Sequence, residues 1–102
     1  MSITNANVAA TATTVYTSSG NTVVSTLHLC NVTGSAAQIS VRLVPSGGTP
    51  GANNTIYSNL TINANDTHIS STERFVMGNG DFISATANTA NAIISTVTYA
   101  SV

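Results

Sequence analysis

The sequence has very little charge. Its 102 residues include no lysine, and the formal net charge is -1. An average domain carries about 25% charged residues, against 5% here. A protein that binds nucleic acid needs a basic surface to displace counterions from phosphates, and two arginines cannot supply one. We therefore expect no nucleic-acid partner, and a weakly charged surface that suits packing against other subunits.

Long apolar runs and an export signal are also missing. No stretch approaches the roughly 20 apolar residues that span a bilayer, and the first residues are neither basic nor hydrophobic. We expect no membrane partner and no secretion. The lone Cys30 cannot form an internal disulfide, which fits folding in a reducing cytoplasm.

Few residues are available for metal binding or catalysis. His28 and Cys30 are two positions apart and share a face of a predicted strand, but their nearest possible co-ligands, His68 and Asp81, are distant in sequence. The sequence contains no phosphate loop, nucleophile elbow or dinucleotide fingerprint. We expect no metal, no cofactor, no small-molecule substrate and no catalytic residue, so the protein is predicted not to be an enzyme.

Thr, Val and Ile are abundant, and turn-forming Gly, Asn and Pro recur about every ten residues, as in all-β domains. This pattern predicts a single antiparallel β-sandwich, jelly-roll or Ig-like, of about seven to eight strands. The predicted strands are residues 11–17, 22–30, 37–43, 55–62, 67–75, 82–87 and 92–100. Residues 45–54 contain both prolines and three glycines and form the longest predicted loop.

Residues 1–10 are small and polar and show no clear alternation, so they are predicted to form a flexible N-terminal arm before the β-sandwich domain of residues 11–102. Such an arm becomes ordered on a neighbouring subunit. Ser2, Ile3 and Thr4 are therefore predicted subunit contacts.

Alternation along the strands also predicts which residues are buried. Ile56, Leu60 and Ile62 are expected on one face of their strand, and Ile69 is expected to point inward. Arg42 interrupts an otherwise neutral outer face, and its guanidinium could bind a carboxylate of another subunit, which makes it a further predicted contact. The sequence favours a solvated surface arginine over this contact, because exposed charges usually contribute little.

Six short motifs occur in order between Val15 and Tyr99. They are Val15-Tyr16-Thr17, Leu27-His28-Leu29-Cys30-Asn31, Val41-Arg42-Leu43-Val44-Pro45, Ile56-Tyr57, Ile62-Asn63-Ala64-Asn65-Asp66-Thr67 and Gly80-Asp81-Phe82-Ile83. In this order they resemble a family of small β-sandwich virion structural proteins of tailed bacteriophages. The chain departs from the family pattern in Val44 before Pro45 and in Glu73-Arg74.

The resemblance implies a structural protein of the virion, made in the cytoplasm of the bacterial host. Its expected partners are its own copies, as a homotrimer, and phage capsid or tail proteins. A capsid decoration (cement) protein that stabilises the shell through subunit contacts is the leading expectation, and a tail, neck or baseplate accessory component is the alternative. A carbohydrate-binding module is a weaker alternative, because sugar sites usually need aromatic platforms and the chain has five aromatic residues and no Trp.

Overall fold

In the computed structural model, which describes residues 2–70 and 75–101, the chain consists almost entirely of strands and turns. The described strands are β1 (Ser2–Asn7), β2 (Thr13–Thr17), β3 (Thr22–Asn31), β4 (Ala37–Val44), β5 (Thr55–Ile62), β6 (Thr67–Ser70), β7 (Phe75–Met77), β8 (Phe82–Ala87) and β9 (Ile93–Ser101). One turn of 3-10 helix, Ala52–Asn54, precedes β5. None of the described segments forms a helix long and apolar enough to cross a membrane.

The described strands form two antiparallel sheets that pack against each other. The first sheet has the order β1-β9-β3-β6, and β7 also pairs with β3; the second has the order β2-β8-β4-β5. β6 pairs with Leu27–Cys30 and β7 pairs with Thr22–Val24, so the two short strands occupy successive parts of one sheet edge. The prediction of an all-β sandwich is confirmed. Within the predicted strand 67–75, residues 71–74, which include Glu73 and Arg74, lie outside the described residues.

The strand pairings describe one long antiparallel ribbon that is rolled into a sandwich. β1 pairs with β9, β2 with β8, β3 with β6 and β7, and β4 with β5, so the loop at residues 45–54 is the turn of the ribbon. Rolling this ribbon places β9 beside β3 and β8 beside β4. With β6 and β7 counted as one strand, this is the eight-stranded jelly-roll topology. An Ig-like sandwich places its first two strands in one sheet, whereas β1 and β2 lie in different sheets.

The core lies between the sheets because the strands alternate inward apolar residues with outward polar ones. Both sheets contribute its largest fully buried aliphatic side chains: Leu27, Leu29, Ile39, Ile83 and Ile93. Burial of each such side chain stabilises the fold by about 1.5–3 kcal/mol. Tyr16 of β2 and Tyr99 of β9 meet between the sheets with their ring centroids 4.4 Å apart.

The turn between β7 and β8 requires a glycine for two reasons. Gly80 has φ +86, in the left-handed region that residues with a Cβ rarely adopt. A Cβ at this position would also lie 2.5 Å from Ser46 Oγ in the loop of residues 45–54. The Gly80 N–H donates to the Ser18 carbonyl at 2.9 Å, so this turn also contacts the turn between β2 and β3.

The N-terminal segment differs from the prediction. Ser2–Asn7 form β1, which pairs with β9 over six consecutive residues without a register shift, and Val8 is fully buried in the core. The expected flexible arm over residues 1–10 is therefore wrong for the described residues. The alternation is present but weak in the sequence, because the inward positions before Val8 are Thr4 and Ala6.

Two isoleucines predicted to be buried face outward. Ile69 pairs with His28 on the outer face of the first sheet and is 52% exposed. Ile56 is also exposed, because the register between β4 and β5 shifts and Asn59 adopts φ 52. As a result Tyr57, rather than Ile56, packs against the core on the same strand as the buried Ile62.

Candidate assembly surface

Arg42, a predicted contact, lies on β4 in the second sheet and is half-buried. Its Nε–H donates to the Gly51 carbonyl at 3.2 Å, and the Thr55 hydroxyl donates to the same carbonyl at 2.8 Å. Arg42 therefore attaches the loop of residues 45–54 to the sheet. This bond leaves the terminal guanidinium nitrogens, which lack a hydrogen bond among the described residues, to meet solvent or a partner.

Ser2, Ile3 and Thr4, the other predicted contacts, lie on β1 at the edge of the first sheet. Ile3 is 67% exposed and points to the outer face of that sheet. Arg42 belongs to the opposite sheet, so the structure does not bring it together with these three residues. The predicted contacts therefore form two separate surfaces.

The outer face of the first sheet carries a group of exposed apolar side chains. Of the five large hydrophobic residues that are exposed in the described part of the chain, Ile3, Ile69 and Val76 lie on this face by their strand registers. The other described residues of this face are Asn5, Asn7, Val23, Thr26, His28, Cys30, Thr67, Ile94, Thr96, Thr98 and Ala100. None of them is Asp, Glu, Lys or Arg. Exposed apolar groups without charge are typical of contact surfaces between proteins.

The described carboxylates lie at turns and hold them in place. Asp81 Oδ1 accepts the Ser46 N–H at 2.9 Å, and Asp81 Oδ2 accepts the Gly78 N–H at 2.8 Å. Asp66 Oδ1 accepts the Thr67 N–H at 2.8 Å. The negative charge of the described residues is therefore at the two ends of the sandwich, away from the outer face of the first sheet.

The four residues considered as metal ligands are not brought together. His28 and Cys30 lie on the outer face of the first sheet. His68 points inward and packs edge-on against the Tyr57 ring, with the two ring centroids 5.0 Å apart. Asp81 holds the turn between β7 and β8. Within residues 2–70 and 75–101, no three His, Cys, Asp or Glu side chains are placed to hold a metal ion.

An open cavity of about 360 Å³ lies at the end of the sandwich where β4 and β7 approach each other. Its lining residues are Leu43, Val44, Pro45, Phe75, Val76, Met77 and Asp81. Small-molecule sites combine an apolar lining with polar groups that orient the ligand. Among the described residues that line the cavity, Asp81 alone is charged, and both of its oxygens already accept backbone N–H groups.

Ile69 and Val76 are surface residues that the sequence did not predict. For Val76 the pattern held a clue, since in Phe75-Val76-Met77 a strand must place the middle side chain opposite to its neighbours. For Ile69 there was no such clue, because Thr67-His68-Ile69-Ser70 fits either orientation. Comparison with protein-family models, curated proteins and solved structures found no match to the chain.

Proposed function

We propose that the protein is a structural component of a tailed-phage virion, and that it decorates the capsid and stabilises the shell through contacts with its own copies and with capsid proteins. The observation that carries this proposal is the outer face of the first sheet, where Ile3, Ile69 and Val76 are exposed and no described residue is formally charged. Covering such a surface with another protein is favourable, because the apolar side chains are removed from water.

The fold supports a virion role by analogy of topology. Jelly rolls form viral capsid domains, but they also form lectins and cupins, so the fold alone does not select a function. The resemblance of the six sequence motifs to phage virion proteins favours a viral structural role over that of a lectin or a cupin. The low charge of the whole chain is a further argument, because it weakens the repulsion between closely packed copies.

The positions of the aromatic residues disfavour a carbohydrate-binding module. Sugar sites use an exposed ring on which the ligand stacks. Tyr16 is buried, and Tyr57, Phe75, Phe82 and Tyr99 are half-buried, so none of the five rings is largely exposed, as a sugar platform would be.

The proposal is tested by reconstructing particles of the phage that carries this chain, with the chain present and with it removed. We expect density matching a body of 38 × 27 × 20 Å on the shell, and bare shells that release DNA at a lower temperature when the chain is missing. Density in the tail or neck alone would assign the chain to the alternative function. Particles without the chain in either place would contradict the virion role.

A pair of variants tests which surface is used. Ile69→Lys places a charge on the outer face of the first sheet, and Ile56→Lys places one at an exposed isoleucine of the second sheet. If the outer face of the first sheet is buried on the particle, Ile69→Lys lowers the affinity for particles about tenfold or more, because the ammonium is then buried without a partner. Ile56→Lys binds as the wild type does. Equal binding by both variants would show that the face is not the contact.

A further inference from the structure

The sheet edges differ in how they are protected against pairing with another chain. Natural edge strands are usually protected by bulges, charges, proline or short length. The register of β2 with β8 and that of β5 with β4 are both interrupted by shifts, and β6 and β7 are four and three residues long. β1 pairs with β9 over six residues without a shift, and its sequence Ser2–Asn7 contains no charge, proline or glycine. Among the described edges, β1 alone is unprotected.

The ladder between β1 and β9 shows which backbone groups of β1 are free. The Val8 N–H donates to the Ile93 carbonyl at 3.0 Å. Bonded and non-bonded pairs alternate along an antiparallel ladder, so Thr4 and Ala6 bond to β9, while the N–H and C=O groups of Ile3, Asn5 and Asn7 point to the open side. No turn or loop backbone group of the described residues bonds to Ile3, Asn5 or Asn7.

We propose that this edge pairs with β1 of a second copy, antiparallel, around a two-fold axis at Asn5. In this register Asn5 of one copy faces Asn5 of the other, and Ile3 faces Asn7. Three bonded pairs form, with two hydrogen bonds each, about six in total, and every outward N–H and C=O group of both strands has a partner. The strand carries no charge that would oppose its own copy.

The positions of the free groups favour this partner and this register. Ile3, Asn5 and Asn7 are spaced symmetrically about Asn5, so a two-fold axis there uses all three, whereas an axis one residue away at Thr4 or Ala6 leaves one of them unpaired. A contact of this kind uses the same surface on both copies, so it forms a dimer that does not extend further through this contact. It is separate from the face contact of the proposed function and holds whether or not the dimer belongs to a virion.

Sedimentation velocity of the full chain over a range of concentrations tests the proposal. We expect a dimer for the wild type, and a dissociation constant raised about tenfold or more by Asn5→Pro, because proline removes the N–H at the axis from both copies. The matched control Asn5→Ala loses the bond that Thr96 Oγ1 donates to Asn5 Oδ1 at 2.8 Å, keeps the backbone N–H, and stays dimeric.

Several outcomes would overturn the proposal. A wild type that is monomeric at all concentrations would do so, as would an Asn5→Pro variant that dimerises as tightly as the wild type. A trimer that Asn5→Pro leaves intact would also contradict the β1 contact, but it would leave the virion proposal standing. Thermal melts of each variant show whether the fold is retained.

A charge exchange keeps the test decisive if Asn5→Pro does not fold. Asn5→Lys alone and Asn5→Glu alone place like charges opposite each other at the axis, so each variant should dimerise more weakly than the wild type. Mixing the two should restore a dimer with one copy of each. The same exchange at the exposed Asn63, in the turn between β5 and β6, should change nothing. Failure of the mixture to associate would overturn the proposed axis.

Discussion

A single buried side chain, Asn31, ties together one end of the sandwich. It is fully buried, and its Nδ2 donates to the Ser35 carbonyl at 2.8 Å and to the Ile62 carbonyl at 3.0 Å. Its Oδ1 accepts the Thr33 N–H at 3.0 Å and the Thr33 hydroxyl at 2.7 Å. All four hydrogen bonds that an asparagine side chain can make are therefore formed. The network joins β3 of the first sheet to β5 of the second.

The first prediction is that Asn31→Asp strongly destabilises the fold although the shape of the side chain hardly changes. A carboxylate cannot donate to the Ser35 and Ile62 carbonyls and would lie against them, so we expect a loss of about 3 kcal/mol or more. Asn88→Ala is the control, because the exposed Asn88 accepts one bond, from the Gln38 N–H, and should cost less than about 1 kcal/mol. Urea unfolding of both variants measures the difference. Equal losses would show that the network contributes little.

At the scale of elements, β1 combines an inner side that belongs to the core with an edge that is open. Val8, which follows β1 directly, is fully buried, whereas Ile3 is largely exposed. The segment is thus part of the folded domain and, by the proposed pairing, also part of a contact. Its removal therefore affects stability as well as association.

We predict that a chain beginning at Thr11 does not fold cooperatively, because it lacks β1 and the buried Val8 and leaves β9 without a neighbour on one side. Point variants separate the two roles. Val8→Ala should cost about 2 kcal/mol through the cavity it leaves, whereas Ile3→Ala should stay within about 0.5 kcal/mol of the wild type. Thermal melts of the three proteins provide the measurement. A truncated chain that melts like the full chain would show that β1 contributes no stability.

The sequence was sufficient to predict the strands whose inward residues are large. β3, β4, β5 and β9 begin and end within about two residues of their predicted limits, because Val, Ile and Leu alternate there with polar residues or fill both faces. β8 is also predicted within these limits although Ala85 and Ala87 take two of its inward positions, because turn residues flank it on both sides. It was insufficient for β1, where Thr4 and Ala6 take the inward positions. It was also insufficient for the bulge near Asn59, because alternation gives the face of a side chain only while the register is continuous.

The neighbours of each strand could not be predicted at all. Alternation is a local property, whereas the pairing of β1 with β9 joins opposite ends of the chain. For the same reason the sequence could propose Ile3 as a contact but could not show that it lies on one face with Ile69 and Val76. The bond from Arg42 to Gly51 depends on how the loop of residues 45–54 folds back, which composition does not reveal.

At the scale of the whole molecule, the two sheets are joined by side-chain contacts on which the stability of both sheets depends. Tyr16 of the second sheet and Tyr99 of the first lie ring against ring, and the Tyr16 hydroxyl bonds to Thr22 Oγ1 at 3.3 Å. The Ser18 hydroxyl bonds to the same Thr22 oxygen at 2.9 Å. Neither sheet can lose its partner without exposing this core.

We therefore predict a single unfolding transition. Near-ultraviolet circular dichroism, which reports the tyrosine packing, and far-ultraviolet circular dichroism, which reports the strands, should have the same midpoint in urea. EDTA should leave that midpoint unchanged, because His28 and Cys30 share the outer face of the first sheet whereas His68 points inward and Asp81 lies at a turn. Two separate midpoints would show that the sheets unfold independently, and a shift on adding EDTA would reveal a metal.

The neighbouring ends of β1 and β9 also determine how the molecule responds to force. Ser2 lies opposite Tyr99, so tension applied between these two residues pulls the strands apart perpendicular to their direction. The hydrogen bonds of the ladder then break one after another. Tension applied along β1, as through an edge contact, loads all bonds of the ladder at once in shear. We therefore expect the molecule to yield at a lower force when it is pulled at Ser2 and Tyr99 than when it is pulled along β1.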